Sequence, residues 1–240
     1  MPLCWTRSSG PPISGQIISS TTAIPARWST PAVDHATAAS ATGYFNAGIQ
    51  NSGQLYAATY GEFGSATGAY AAATYAYGTA AIDNSGYIVA IADSSNFLSG
   101  DVSATGAQAQ CYYASINHQL RGPIYASPYG YDGYATATGS IAQGTFAYTS
   151  NAGLLAGVAF GYAADVEATG SVTDGGKYAS FDNTGISGAI AGTVYGDATA
   201  VGASVSSGKY AVASSSNQII AVAQVYGDGY FTASATGMIA

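Results

Sequence analysis

Asn151-Ala152-Gly153-Leu154-Leu155-Ala156-Gly157-Val158-Ala159-Phe160-Gly161, followed by Asp165 and by Ala168-Thr169-Gly170, is one statement of a phrase that the chain repeats. Asn recurs at Asn51, Asn84, Asn117, Asn151, Asn183 and Asn217, at intervals of 33, 33, 34, 32 and 34 residues. An aromatic–Gly pair comes next: Tyr60-Gly61, Tyr129-Gly130, Phe160-Gly161, Tyr195-Gly196 and Tyr226-Gly227, with only Phe97 and Gly100 in the second unit. Ala-Thr-Gly then stands at 41–43, 66–68, 104–106, 137–139, 168–170 and 235–237, with Ala200-Val201-Gly202 as its variant. An aromatic–Ala pair closes each unit: Tyr75-Ala76, Tyr113-Ala114, Phe146-Ala147, Tyr178-Ala179 and Tyr210-Ala211. Four phrases that keep their order through five or six units are an internal repeat, which compositional bias does not produce.

Between the phrases, apolar and small residues alternate with a period of two, as in Ile88-Val89-Ala90-Ile91-Ala92, and this is the strand signal. The glycines and the β-branched residues disfavour helix. Gly, Asn and Asp at the joints are the residues that supply positive φ for corners. The pattern predicts an all-β chain: over residues 35–240, a parallel β-solenoid (β-helix) of about 31–34 residues per repeat unit with three strands per coil. Two narrower coils within each unit also fit the spacing. Six to seven coils stacked at roughly 4.8 Å give a rod roughly 30 Å long.

Composition agrees with a narrow interior. Only 7% of residues are charged, too few for a solvated disordered chain. Large aliphatic side chains are scarce, so the interior must be filled by Ala, Gly, Ser and Thr. The net charge is −7 and the only Lys and Arg are Arg7, Arg27, Arg121, Lys177 and Lys209. Nucleic acid is therefore excluded as a partner, because phosphates need cations. No apolar run approaches the ~18 residues of a membrane span. Cys4 and Cys111 make neither a disulfide framework nor a metal cluster. Residues 1–34 are different material: they hold both Trp, five of the seven Pro and no Tyr. They read as a leader, a solenoid cap or an intersubunit arm. The opening residues lack the apolar stretch of a signal peptide.

Stacking turns each phrase into a column. Asn51, Asn84, Asn117, Asn151, Asn183 and Asn217 predict a structural ladder, since a side-chain amide donates and accepts along the stack. Tyr60, Tyr129, Phe160, Tyr195 and Tyr226 predict an aromatic column, either packed inward or at a corner, or turned outward as an apolar and hydrogen-bonding strip suited to glycans or to another filament. Glu62, Asp101, Asp132, Asp165, Asp197 and Asp228 predict an acidic column. Carboxylates at coil spacing repel, so something offsets them: turn N–H donors in the ordinary reading, or a cation column in the sharper one. Ca²⁺ is the ion that takes such oxygens, although the Gly-Gly-x-Gly-x-Asp calcium repeat is absent. The pairs Ser65/Thr67, Ser103/Thr105, Thr136/Thr138 and Ser234/Thr236 place hydroxyls on the outward face. That array resembles the Thr-x-Thr face of insect ice-binding solenoids, interrupted here by Glu167 and Val201. Polar residues on a β-propensity face are the plainer account.

Catalysis has no candidate. His35 and His118 sit near no nucleophile motif or metal-ligand spacing, and Arg121, Lys177 and Lys209 are scattered. The chain reads as a non-enzyme.

The phrases Asn51-Ser52-Gly53-Gln54-Leu55, Ala73-Thr74-Tyr75-Ala76-Tyr77-Gly78 and Asp197-Ala198-Thr199-Ala200-Val201-Gly202 resemble repeats of bacterial autotransporter-like adhesin passengers, over nearly all of residues 35–240. The resemblance implies a secreted β-solenoid at the cell surface that mediates adhesion or matrix formation. The chain departs from it in showing no signal segment and no translocating barrel. Since the last Ala-Thr-Gly is followed by only three residues, the expected function is a structural subunit of an extracellular filament, self-associating by coil stacking. A monomeric adhesin binding glycans or surfaces, and an ice-binding protein, are the alternatives.

Overall fold

A computed structural model of the chain describes residues 34–94, 100–227 and 230–240. The segment read as a leader, cap or arm lies outside the described residues but for Asp34, which opens the first strand. The first coil comprises β1 (Asp34–Gly43), β2 (Asn46–Asn51) and β3 (Gln54–Tyr60). The second comprises β4 (Gly64–Ala73), β5 (Thr79–Asn84) and β6 (Tyr87–Asp93). The third opens with β7 (Val102–Gln110) and β8 (Tyr113–His118). From there β9 (Ile124–Asn151) and β10 (Leu154–Asn183) each run round two corners without losing strand geometry. β11 (Ile186–Thr193) closes the fifth coil, β12 (Ala198–Ser207), β13 (Tyr210–Ser215) and β14 (Ile219–Val225) form the sixth, and β15 (Ala233–Ile239) begins a seventh.

All pairings are parallel, and each strand pairs with its equivalent one repeat away. One repeat unit is therefore one coil of three sides, and the reading with two coils per unit falls away. The first side stacks β1, β4, β7, parts of β9 and β10, β12 and β15; the second begins with β2, β5 and β8; the third with β3 and β6.

The alternation predicted from sequence sets what faces inward. Ala66, Ala104, Ala137, Ala168 and Ala200 form one inward column on the first side, all buried. On the third side Leu55, Ile88, Ile124 and Leu155 stack in register, fully buried, and with Ile82 and Ile116 of the second side are the largest aliphatic side chains of the core. Each such side chain contributes about 1.5–3 kcal/mol through burial. Ser187 takes the next position of that column and donates to the Gly202 carbonyl at 2.7 Å, so its hydroxyl is satisfied in the core.

Glycine serves a purpose other than the one its φ freedom suggested. Positive φ occurs at only two described residues, Gly100 and Gly133. What the other glycines give is clearance. A Cβ on Gly68, Gly106, Gly139, Gly170 or Gly202 would overlap the carbonyl oxygen of the glycine in the next coil. The Ile88, Ile124 and Ile219 methyls from the third side come against Gly68, Gly106 and Gly202. At this column the alternation also breaks, since Gly68 and Ala69 are both buried. The Thr-Gly of the repeated phrase thus marks where the first side sinks towards the third. The register also shows that Ala41-Thr42-Gly43 is out of phase: it pairs with Ala71, Ala72 and Ala73, and Ala36 and Thr37 hold the true position.

Candidate functional site

The corner between the second and third sides carries the Asn ladder. Asn51 Nδ2 donates to Asn84 Oδ1 at 2.7 Å, and Asn151 Nδ2 to Asn183 Oδ1 at 2.7 Å. The Oδ1 of Asn51, Asn84 and Asn151 also accepts the N–H of the glycine two residues on, from Gly53 at 3.1 Å, Gly86 at 3.2 Å and Gly153 at 3.1 Å. Asn-x-Gly is thus an Asx-type corner whose amide is shared between coils.

Two of the six predicted members are not in the ladder. Asn117 is exposed and donates to Asp83 Oδ1 at 3.3 Å; His118 occupies the ladder position between Asn84 and Asn151. Asn217 is exposed and donates to the Thr184 carbonyl, while Ser215 takes the place beyond Asn183, accepting its Nδ2 at 3.0 Å. The cause is the inward columns: Ile116 must lie beside Ile82, which turns Asn117 out and His118 in.

His118 is fully buried. Asn84 Nδ2 lies 3.1 Å from His118 Nδ1 and can only donate, so Nδ1 accepts and the ring proton sits on Nε2. Nε2 has no hydrogen-bond partner, so the ladder is interrupted between His118 and Asn151. Burial away from water holds the imidazole down to a pKa of about 4.

The aromatic column takes the outward of its two expected arrangements. Tyr60, Tyr129, Phe160, Tyr195 and Tyr226 are all at least 40% exposed. The interior slots beside them are Ala-sized and closed to a ring, as at Ala57, Ala90 and Ala126. Tyr60, Tyr129 and Phe160 share one register with Asp93 between them and Gly192 after them; the Phe160 ring lies against Gly192. Tyr195 belongs to a second file with Tyr131 and Tyr162, with ring centroids 5.3 and 5.5 Å apart. Tyr226 joins neither file; its N–H donates to the Thr193 carbonyl.

Of the acidic column, Asp101, Asp165 and Asp197 are in register, with Tyr134 between Asp101 and Asp165. Each Oδ1 accepts a backbone N–H from the next coil: Tyr134 at 3.0 Å, Asp197 at 3.0 Å and Thr232 at 2.7 Å. Those bonds supply the offset that stacked carboxylates require. Asp132 instead accepts from Gly133 in its own turn at 2.9 Å, Glu62 precedes the column position that Phe63 occupies, and Asp228 lies outside the described residues. Among the described residues no group of three or more His, Cys, Asp and Glu is placed to hold a metal ion.

The hydroxyl face is in register, with Thr67, Thr105, Thr138 and Thr169 in one column and Ser103 Oγ donating to Ser65 Oγ at 3.1 Å. Its middle is recessed: Thr138 and Thr169 are only 9% and 7% exposed, where the glycine column behind them lets the side sink. It is not the flat plane of hydroxyls that the alternation alone suggests.

No family model, curated protein or solved structure matches the chain. The described residues contain no helix long and apolar enough to cross a membrane.

The most distinctive surface is one the columns did not predict, at the corner between the first and second sides. There Tyr44, Phe45, Tyr75, Tyr77, Tyr112, Tyr113 and Phe146 form an unbroken chain of ring contacts across four coils, with centroids 4.7–6.0 Å apart. Tyr113 and Phe146 stack at 5.1 Å with their planes 15° apart. Register carries the same column on through Tyr178 to Tyr210. The aromatic–Ala phrase was the sequence signal for this edge. Alone it could not show that Tyr44-Phe45, Tyr77 and Tyr112, which belong to no phrase, fall on the same corner.

Proposed function

We propose that the protein is a structural subunit of an extracellular filament in which solenoid coils stack end to end. The observation that carries this reading is the sameness of the coils: the described strands pair in parallel with their equivalents one repeat away, so the three sides of one coil repeat the shape and the hydrogen-bonding edge of the next. Strand edges that pair in this way within one chain suit the same pairing between chains, with the inward file of Ile219, Ala221, Ala223 and Val225 continuing the core across the junction. The resemblance to surface solenoids supports an extracellular setting.

Light scattering across a concentration series, followed by electron microscopy, tests the reading. Rods that lengthen with concentration are expected. Replacing inward Ala223 with Asp should shorten them, because a charge would have to be buried at the junction. A monodisperse monomer at micromolar concentration overturns the proposal.

A further inference from the structure

We infer that the corner between the first and second sides is a binding edge for an acidic polysaccharide lying along the rod. This goes beyond end-to-end stacking, since it uses the flank of every coil and not the open end.

Three observations carry it. The first is the aromatic edge itself. Tyr44, Phe45, Tyr77 and Tyr113 are 52%, 53%, 64% and 42% exposed, so a contiguous run of ring surface faces solvent at this corner. Contiguous exposed apolar surface of this kind marks a contact site. Tyrosine suits a sugar in particular: its ring face accepts the C–H groups of a pyranose while its hydroxyl exchanges hydrogen bonds with sugar hydroxyls. The second is spacing. Coils repeat at roughly 4.8 Å and Tyr113 and Phe146 stack at 5.1 Å, close to the rise per residue of an extended hexose chain. Tyr113, Phe146, Tyr178 and Tyr210 hold one register position in four successive coils, so a polymer of sugars can meet an equivalent ring at each of those steps.

The third observation is charge, and it selects the class of glycan. The chain has a net charge of −7, yet both of its lysines stand on this one corner. Tyr112, the position before Phe146, Lys177 and Lys209 all directly precede the first residue of the second side in successive coils. Lys177 and Lys209 are exposed and one coil apart, with Gly208 N–H donating to the Gly175 carbonyl beside them. Neither forms an ion pair among the described residues. The nearest carboxylate along the chain, Asp174, is engaged by Ser206 Oγ at 2.8 Å and by Gln143 Nε2 at 3.3 Å. The edge thus passes from rings in the first four coils to stacked ammonium groups, with Tyr178 and Tyr210 beside them, in the next two. Two free cations at adjacent steps match two carboxylates on a glycan chain whose apolar faces rest on the rings. A neutral glycan would leave the lysines without a role, and a compact polyanion would leave the rings without one.

Affinity electrophoresis of the full chain through gels containing polygalacturonate or neutral dextran tests this. Retardation by polygalacturonate that weakens as salt rises is expected, with little or none by dextran. K177Q/K209Q should weaken binding by about tenfold or more, and K177R/K209R should restore it. Y77S/Y113S should weaken binding comparably, with the β-sheet circular dichroism of every variant unchanged. Absence of retardation by polygalacturonate, equal retardation by dextran, or full binding by K177Q/K209Q would each overturn the proposal. So would equal binding to DNA or to phosphatidylserine vesicles, which would reduce the edge to a general polyanion contact. Sedimentation run on the same samples reports the filament separately, so loss of glycan binding and loss of stacking are read apart.

Discussion

Two corners of one solenoid have been put to opposite uses. At the corner between the second and third sides, Asn51, Asn84, Asn151 and Asn183 are buried and hydrogen-bonded to neighbouring coils. At the corner between the first and second sides, Tyr44, Tyr77 and Tyr113 are exposed, and their rings touch other rings of the same corner, Tyr75 and Tyr112 among them. Both follow from the same stacking, the amides holding one register position and the rings converging on one corner from neighbouring positions. The difference lies in what each side chain needs: a small amide can be satisfied within a corner, whereas the rings here have only the Ala-sized inward slots of Ala80, Ala114 and Ala147 beside them and are left outside. Stability is therefore concentrated in the first corner and surface chemistry in the second.

The largest effect on this contrast should come from the glycine column, which lies on neither corner but holds the sides in place. Gly106→Val would drive a side chain into the Gly139 carbonyl and the Ile124 methyl. Loss of cooperative folding is expected, equivalent to more than about 4 kcal/mol, as read by thermal melting. Asn84→Ala should cost about 2–3 kcal/mol in urea denaturation, because it strips partners from Asn51, Gly86 and His118 together.

Acid sharpens the comparison. The pKa of His118 is depressed to about 4 in the folded chain against an ordinary 6.5. Its contribution is therefore fully present above pH 6.5 and is lost as pH falls towards 4. Up to about 3 kcal/mol should disappear over that window. Protonation would set an N–H of the ring against the Asn84 amide donor. His118→Asn should remove most of this pH dependence and complete the ladder, which paired denaturation curves at pH 7 and pH 4.5 would show. The smallest effect belongs to the exposed corner: Tyr77→Ser should change stability by less than about 0.5 kcal/mol. A large destabilisation there would mean that the rings hold the coil together.

Much of the fold could be read from the sequence, because a repeated phrase with period-two alternation leaves few ways to bury its small residues. The three sides, the inward Ala columns and the core of the Asn ladder all follow from that. What could not be read was exact register. Corners differ in length from coil to coil, so a phrase slides by a residue or two while the inward columns stay aligned. Ile82 and Ile116 pair, and that pairing displaces Asn117 in favour of His118. Ser215 replaces Asn217 at the ladder for the same kind of reason. The aromatic column pointed outward because the inward slots beside it, at Ala57, Ala90 and Ala126, are Ala-sized, a local limit that alternation does not encode. The Tyr and Lys edge depended on residues outside any shared phrase, and only the stacking of corners brings them together.

β9 and β10 continue as strand for 28 and 30 residues, round two corners each. A protease must draw a stretch of unpaired backbone into its cleft, and β9 and β10 offer little, because they pair with a neighbouring coil on both edges along most of their length. Cleavage within them must wait for the rod to open. The exposed turn at residues 119–123, where Leu120 is 81% exposed, would be nicked first, and β9 and β10 would be the last to survive in a degraded matrix.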